Sequence, residues 1–157
     1  MRTAAATGFA LVTLMFVVFF LTAAGRPFPY REVQVVATLG AVALVVGAMQ
    51  GSASMLAAGF GVNVLTRATQ IAMGLSRLPL ALNVALAAGW IWACVQAARG
   101  GSVKGALWFL AFVHVASLVT ALSRFEASVG LALGAAGLFL AAPNMGAEAA
   151  RSVGKRE

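Results

Sequence analysis

Few side chains in this sequence could do covalent or acid–base chemistry. The 157 residues hold one histidine, His114, one cysteine, Cys94, and four glutamates, Glu32, Glu126, Glu148 and Glu157, with no aspartate. A serine relay would have to borrow a glutamate from the end of an apolar segment, and Ser52, Ser54 and Ser117 lie in no nucleophile-elbow pattern. Haem held by two histidines within one chain is impossible, and a lone thiol makes neither an intrachain disulfide nor a thiolate metal set. No glycine run leads into a Lys-Ser/Thr pair of the phosphate-loop kind. These counts argue against an enzyme, with no catalytic residue, metal ligand set or cofactor to name.

The remaining candidates are polar groups inside apolar runs: Gln50, Asn83, Gln96 and His114. In hydrocarbon such side chains bond across helices, at about 0.6 kcal/mol each on average, and Asn83 is the most central in its run. Were Gln50, Asn83 and His114 to converge, they would line a polar pathway or a ligand site. On a helix His114 shares a face with Ser117, Ala121 and Arg124. Proton-coupled transport recruits carboxylates at membrane depth, and no run here has one at its centre.

The apolar runs that carry these groups also carry a pattern of small residues. Gly40, Ala43, Gly47, Gly51, Ser54 and Ala58 recur at steps of three and four, which predicts one continuous small-residue stripe on a single helix. Gly130, Gly134, Gly137 and Ala141 repeat the device near the C-terminus. Apolar attraction between helices is weak in lipid, so close backbone approach, including through the Gly47-xxx-Gly51 pair, is the expected means of packing.

Composition makes the setting a membrane. Hydrophobic residues are 62% of the chain and charged residues 10%, and the mean hydropathy is +0.96, far outside the soluble range of roughly 45–50% apolar. Charges, prolines and glycine pairs divide the chain into five apolar segments, 4–25, 33–58, 78–98, 105–123 and 127–142. Each approaches the length of about 20 residues needed to cross hydrocarbon as a helix. The expected fold is therefore all-α, one polytopic bundle of five spans. It would have four spans if the first segment, preceded by Arg2 and followed by "TAA", were a cleaved signal; its length favours retention.

Pro27 and Pro29 stop the first helix, while Arg26, Tyr30 and Arg31 suit the interface. Residues 59–77 carry Asn63, Thr66, Arg67 and Gln70 and are expected to extend the second helix or lie in the interface. A central arginine facing lipid costs on the order of 3 kcal/mol. Trp90, Trp92 and Trp108 form an aromatic belt in which Trp90 or Trp92 could instead pack between helices. Residues 144–157 read as a polar tail.

The formal charge of +7 comes from cations at segment ends, which fits lipid head groups rather than nucleic acid. Five spans would place Arg26, Arg31, Arg99, Lys104, Arg151, Lys155 and Arg156 on the cytoplasmic side, opposite Arg2, Arg67, Arg77 and Arg124. The simplest location is a bacterial inner membrane, with an organellar membrane as the alternative. Expected partners are lipids together with other membrane subunits or further copies of the chain. Three functions fit: an accessory or scaffold subunit of a membrane assembly, a small transporter or channel for a lipid-like or uncharged solute, or a cofactor-binding subunit using His114.

Overall fold

The computed structural model describes residues 2–153, with side chains through residue 145. Six helices occupy most of this range: α1 (Arg2–Leu21), α2 (Tyr30–Gln50), α3 (Ala53–Ala72), α4 (Leu80–Ala98), α5 (Lys104–Thr120) and α6 (Phe125–Val153). No strand occurs among the described residues. Each helix packs against its neighbours in sequence, and α6 returns to pack on α1, so the bundle is a closed ring. Short connections make the neighbours antiparallel. Four helices, α1, α2, α4 and the Phe125–Met145 part of α6, are long and apolar enough to cross a membrane.

The second predicted segment is where the structure departs from the sequence reading. The helix expected over 33–58 stops at Gln50, because Gly51 takes a left-handed conformation with φ of 66°. That backbone is open to glycine at little cost and ends helices where an ordinary residue would be strained. Ser52 then accepts a hydrogen bond from the Met55 N–H and starts α3. The single small-residue stripe is therefore split between two antiparallel helices. Residues 59–77 do not extend α2: most of them belong to α3, a separate helix that packs between α2 and α4 as a wall of the ring.

The C-terminal half of α3 is polar inside and apolar outside, after a first half that buries Leu56, Gly59 and Phe60. Asn63, Thr66 and Gln70 are buried, whereas Met55, Ala58, Leu65, Ala68 and Ala72 are exposed. A helix in water buries the opposite face. The inversion fits a lipid surround, where polar groups must turn toward the protein interior. The same holds around the ring, with Leu39, Val84, Phe112 and Val119 all more than half exposed.

The small residues are used within the chain. A Cβ on Gly40 would lie 2.8 Å from Val62, and one on Gly47 would lie 2.9 Å from the Leu56 backbone nitrogen, so both seat α3 on α2. Gly137 sits against the Gly8 carbonyl, Gly134 against Met15 and His114, and Gly130 against the Phe19 ring, so these three close α6 on α1 and α5. Ser54 and Ala58 are exposed, and Ala43 is half-buried. Gly51 is a helix stop beside the Arg2 guanidinium rather than half of a packing pair.

Two further expectations change. The last helix runs through Pro143 to Val153, so most of the tail predicted over 144–157 is helical, and residues 154–157 lie outside the described residues. The extra wall α3 also regroups the cations, because Arg26 shares one end of the ring with Arg67, Arg77 and Arg124 instead of standing opposite them.

Gly137→Leu should destabilise the bundle by about 3 kcal/mol, the upper end of overpacking costs, because backbone on α1 leaves no room for a side chain. Ala68→Leu, on the exposed face of α3, should be near neutral. Thermal unfolding of the two variants in the same detergent checks the contrast.

Candidate functional site

The centre of the ring is filled by aromatic side chains. Phe9 meets Phe60 at 6.1 Å between ring centroids, Phe60 meets Trp90 at 6.0 Å, and Trp90 meets His114 edge-on at 6.5 Å. These four come from α1, α3, α4 and α5, and each is almost completely buried. Trp90 is thus the tryptophan that packs between helices, while Trp92 stays at the surface against Phe109. The His114 Nδ1–H donates to the Leu110 carbonyl at 2.8 Å, which makes His114 a satisfied core group. Cys94 is half-buried, its thiol 3.5 Å from the Ala57 carbonyl.

At the end where α1, α3 and α5 finish, the ring is hollow. A cavity of about 320 Å³ opens there, at the small end of the range for ligand sites. Its wall is divided by element. α2 and α3 contribute Tyr30, Gln34, Arg67 and Gln70, all polar; α1 and α6 contribute the apolar Phe16, Phe19, Ala127 and Leu131, with Glu126 of the first turn of α6 the one charged group on that side. The three connections at this end add Arg26, Ser76, Arg77 and Arg124 to the rim. Four arginines thus face one acidic residue, Glu126, and among the described residues none of the four makes an ion pair with a carboxylate.

Each arginine is placed by a local cause. Arg67 sits on the inner face of α3, where Nη1 donates to Asn83 Oδ1 at 3.1 Å. Asn83 is held in turn by its Nδ2, which donates to the carbonyls of Leu78 at 2.9 Å and Pro79 at 3.3 Å. These two carbonyls precede α4, so one asparagine both ties the α3–α4 turn and fixes the arginine. Arg26 donates through Nη2 to the Leu75 carbonyl and stacks over the Tyr30 ring at 4.1 Å, a favourable cation–π position. Burial is the main cause that lowers the pKa of Arg26, and repulsion from Arg77 and Arg124 adds to it against the attraction of Tyr30.

The cavity also holds polar atoms with no partner. Gln34 is 1% exposed and its Oε1 has no hydrogen bond. Arg26 Nε is likewise buried and unbonded. An unmade hydrogen bond in a buried site costs about 1–3 kcal/mol, so these groups favour an occupant that bonds to them. Outside the cavity wall, one turn from Arg67, Asn63 donates to the Gly59 carbonyl while its Oδ1 is unpartnered.

The predicted polar trio does not assemble. Gln50 is exposed at the opposite end of α2, His114 packs in the aromatic core, and Asn83 acts through Arg67; none of the three lines the cavity. Asn83 does make the interhelical bond expected of it. The residues missed were Tyr30, Gln34 and Gln70, and Arg26, Arg77 and Arg124 were read only as topology anchors. The available signal was that each of the three connections at this end carries an arginine. No group of three or more histidine, cysteine or acidic side chains comes together among the described residues. Comparison with protein-family models, curated proteins and solved structures finds no match to this chain.

Asn83→Leu keeps the branched four-atom side chain but removes both the Arg67 acceptor and the tie to the turn. It should cost about 2–3 kcal/mol, the range for hydrogen bonds to charged groups. Thermal unfolding against Leu82→Ile, a volume-conserving change one residue away, measures the difference.

Proposed function

We propose that the chain is a non-catalytic membrane protein that captures an anion-bearing small solute in the cavity at one end of its ring. The observation that carries this reading is the convergence of Arg26, Arg67, Arg77 and Arg124 on one cavity with only Glu126 to oppose them. Arginine presents a planar set of donors suited to carboxylate and phosphate oxygens. In a low-dielectric wall, four such groups without carboxylate partners repel one another, and an anion relieves that repulsion.

In this reading all six helices cross the bilayer. α3 does so despite Arg67 because that residue faces the cavity instead of lipid. A bacterial inner membrane is the proposed location, on the alanine- and glycine-rich composition of the spans. Of the three functions expected from sequence, solute binding has a cavity behind it, and the wall calls for an anion in place of an uncharged molecule. The glycines that suggested a scaffold, Gly40, Gly47, Gly130, Gly134 and Gly137, have packing partners within the chain. The haem reading has His114 already bonded to the Leu110 carbonyl and packed against Trp90 and Gly134.

Purified protein in detergent should be stabilised by inorganic phosphate or octanoate, and not by choline or octanol, at matched ionic strength. Bound ligand at a hundred times its Kd adds about 2.7 kcal/mol, enough for a shift of several degrees in Tm. Arg67→Gln, and the exposed rim variant Arg77→Gln as a check that folding is kept, should diminish the shift. Equal stabilisation by octanol or choline, or an unchanged shift in both variants, would contradict the proposal.

A further inference from the structure

Resting on the reading of the cavity as an anion site, we propose that its ligand is a phosphomonoester of a small apolar alcohol, oriented by the division of the wall. Gln34 and Arg67 on the α2–α3 side take the phosphate, and Phe16, Phe19 and Leu131 on the α1–α6 side take the apolar body.

Charge selects the head. Four arginines and one glutamate leave the wall at a net +3 (four positive charges minus one). A phosphomonoester carries about −1.5 to −2 at neutral pH, a closer match than the single charge of a carboxylate. It also offers three oxygens around one atom, as many acceptors as several guanidinium forks can use. Gln34 completes the recognition. It lines the same wall, and its amide NH₂ is a donor for a phosphate oxygen.

Apolar surface selects the body. A site for a bare inorganic ion has no use for two phenylalanines and a leucine in its wall. Burying them against a ligand stabilises the complex at roughly 25 cal/mol per Å². Volume limits its size: 320 Å³ corresponds to about ten waters at roughly 30 Å³ each. A phosphate and a chain of several carbons fill that space, whereas two full acyl chains would have to leave it. The phosphate could belong to a soluble ester or to a membrane lipid with a phosphomonoester head, and the chemistry recognised is the same.

The test measures affinities of purified protein in phosphatidylcholine nanodiscs for methyl phosphate, hexyl phosphate, hexanoate and hexanol. Hexyl phosphate should bind at least tenfold tighter than methyl phosphate and than hexanoate, and hexanol should not compete. Arg77→Gln and Arg124→Gln, both at the rim, should each weaken hexyl phosphate at least threefold. Nanodiscs doped with phosphatidic acid separate the sources. Displacement of hexyl phosphate by the doped lipid supports a lipid head as ligand, and its absence supports a soluble ester.

Equal binding of methyl and hexyl phosphate would overturn the apolar half while leaving the anion site standing. Hexanoate binding as tightly as hexyl phosphate would overturn the phosphate head. Hexanol binding as tightly as hexyl phosphate, or no binding by any of the four, would overturn this inference and the anion site together.

Discussion

A single cation without access to lipid organises this bundle. In a bilayer Arg67 could not face hydrocarbon cheaply, and α3 turns it inward together with its polar neighbours Asn63, Thr66 and Gln70. An inward polar face needs polar company or a cavity. Asn83 of α4 supplies the first through its bond to Arg67, and the hollow end of the ring supplies the second. Apolar residues are left on the outside of α3, which is what a lipid-facing wall requires. Fold and candidate site therefore follow from the same constraint.

The ring could not close around that cavity without glycine. Gly59 places α3 against the Gly40 carbonyl and Leu44, and Gly8 and Gly137 bring α1 and α6 to backbone contact. Close approach replaces the hydrophobic drive that is missing between helices in lipid. It also frees bulky residues for the middle. Phe9, Phe60, Trp90 and His114 fill the space that six helices would otherwise leave open, so the tight seams lie at the periphery and the large side chains at the centre.

Much of this architecture was legible in the residues. Apolar runs marked the walls, Pro27 and Pro29 marked a break, and Asn83 announced an interhelical hydrogen bond. The break at Gly51 was not legible, because a left-handed glycine within a run of small residues has the same spacing as a packing glycine. Missing it merged α2 with the start of α3, miscounted the walls and put Arg26 on the wrong side of Arg67, Arg77 and Arg124. The cavity was lost with that count. Its residues come from four helices and three connections, and no local pattern ties Gln34 to Leu131 until the ring is closed. Gln34 was hidden for another reason: near a helix start it looks like an ordinary interfacial glutamine, and only its burial without a partner sets it apart.

The aromatic core also limits how the cavity can work. Phe60 and Trp90 occupy the axis beyond Arg67, and Met15 and His114 press on Gly134 of α6. A solute entering at the arginine end therefore meets a packed interior, not a continuous pore. Passage to the other end would require Phe60, Trp90 and His114 to leave contacts made with three different helices. Removing buried aromatic packing costs about 3–5 kcal/mol per residue, so a static channel is disfavoured against a site that receives and releases its ligand at one end. Under the proposed anion reading the arginines fit that arrangement, because strong binding at a site open at one end retains a ligand where the same binding in a pore would stall it.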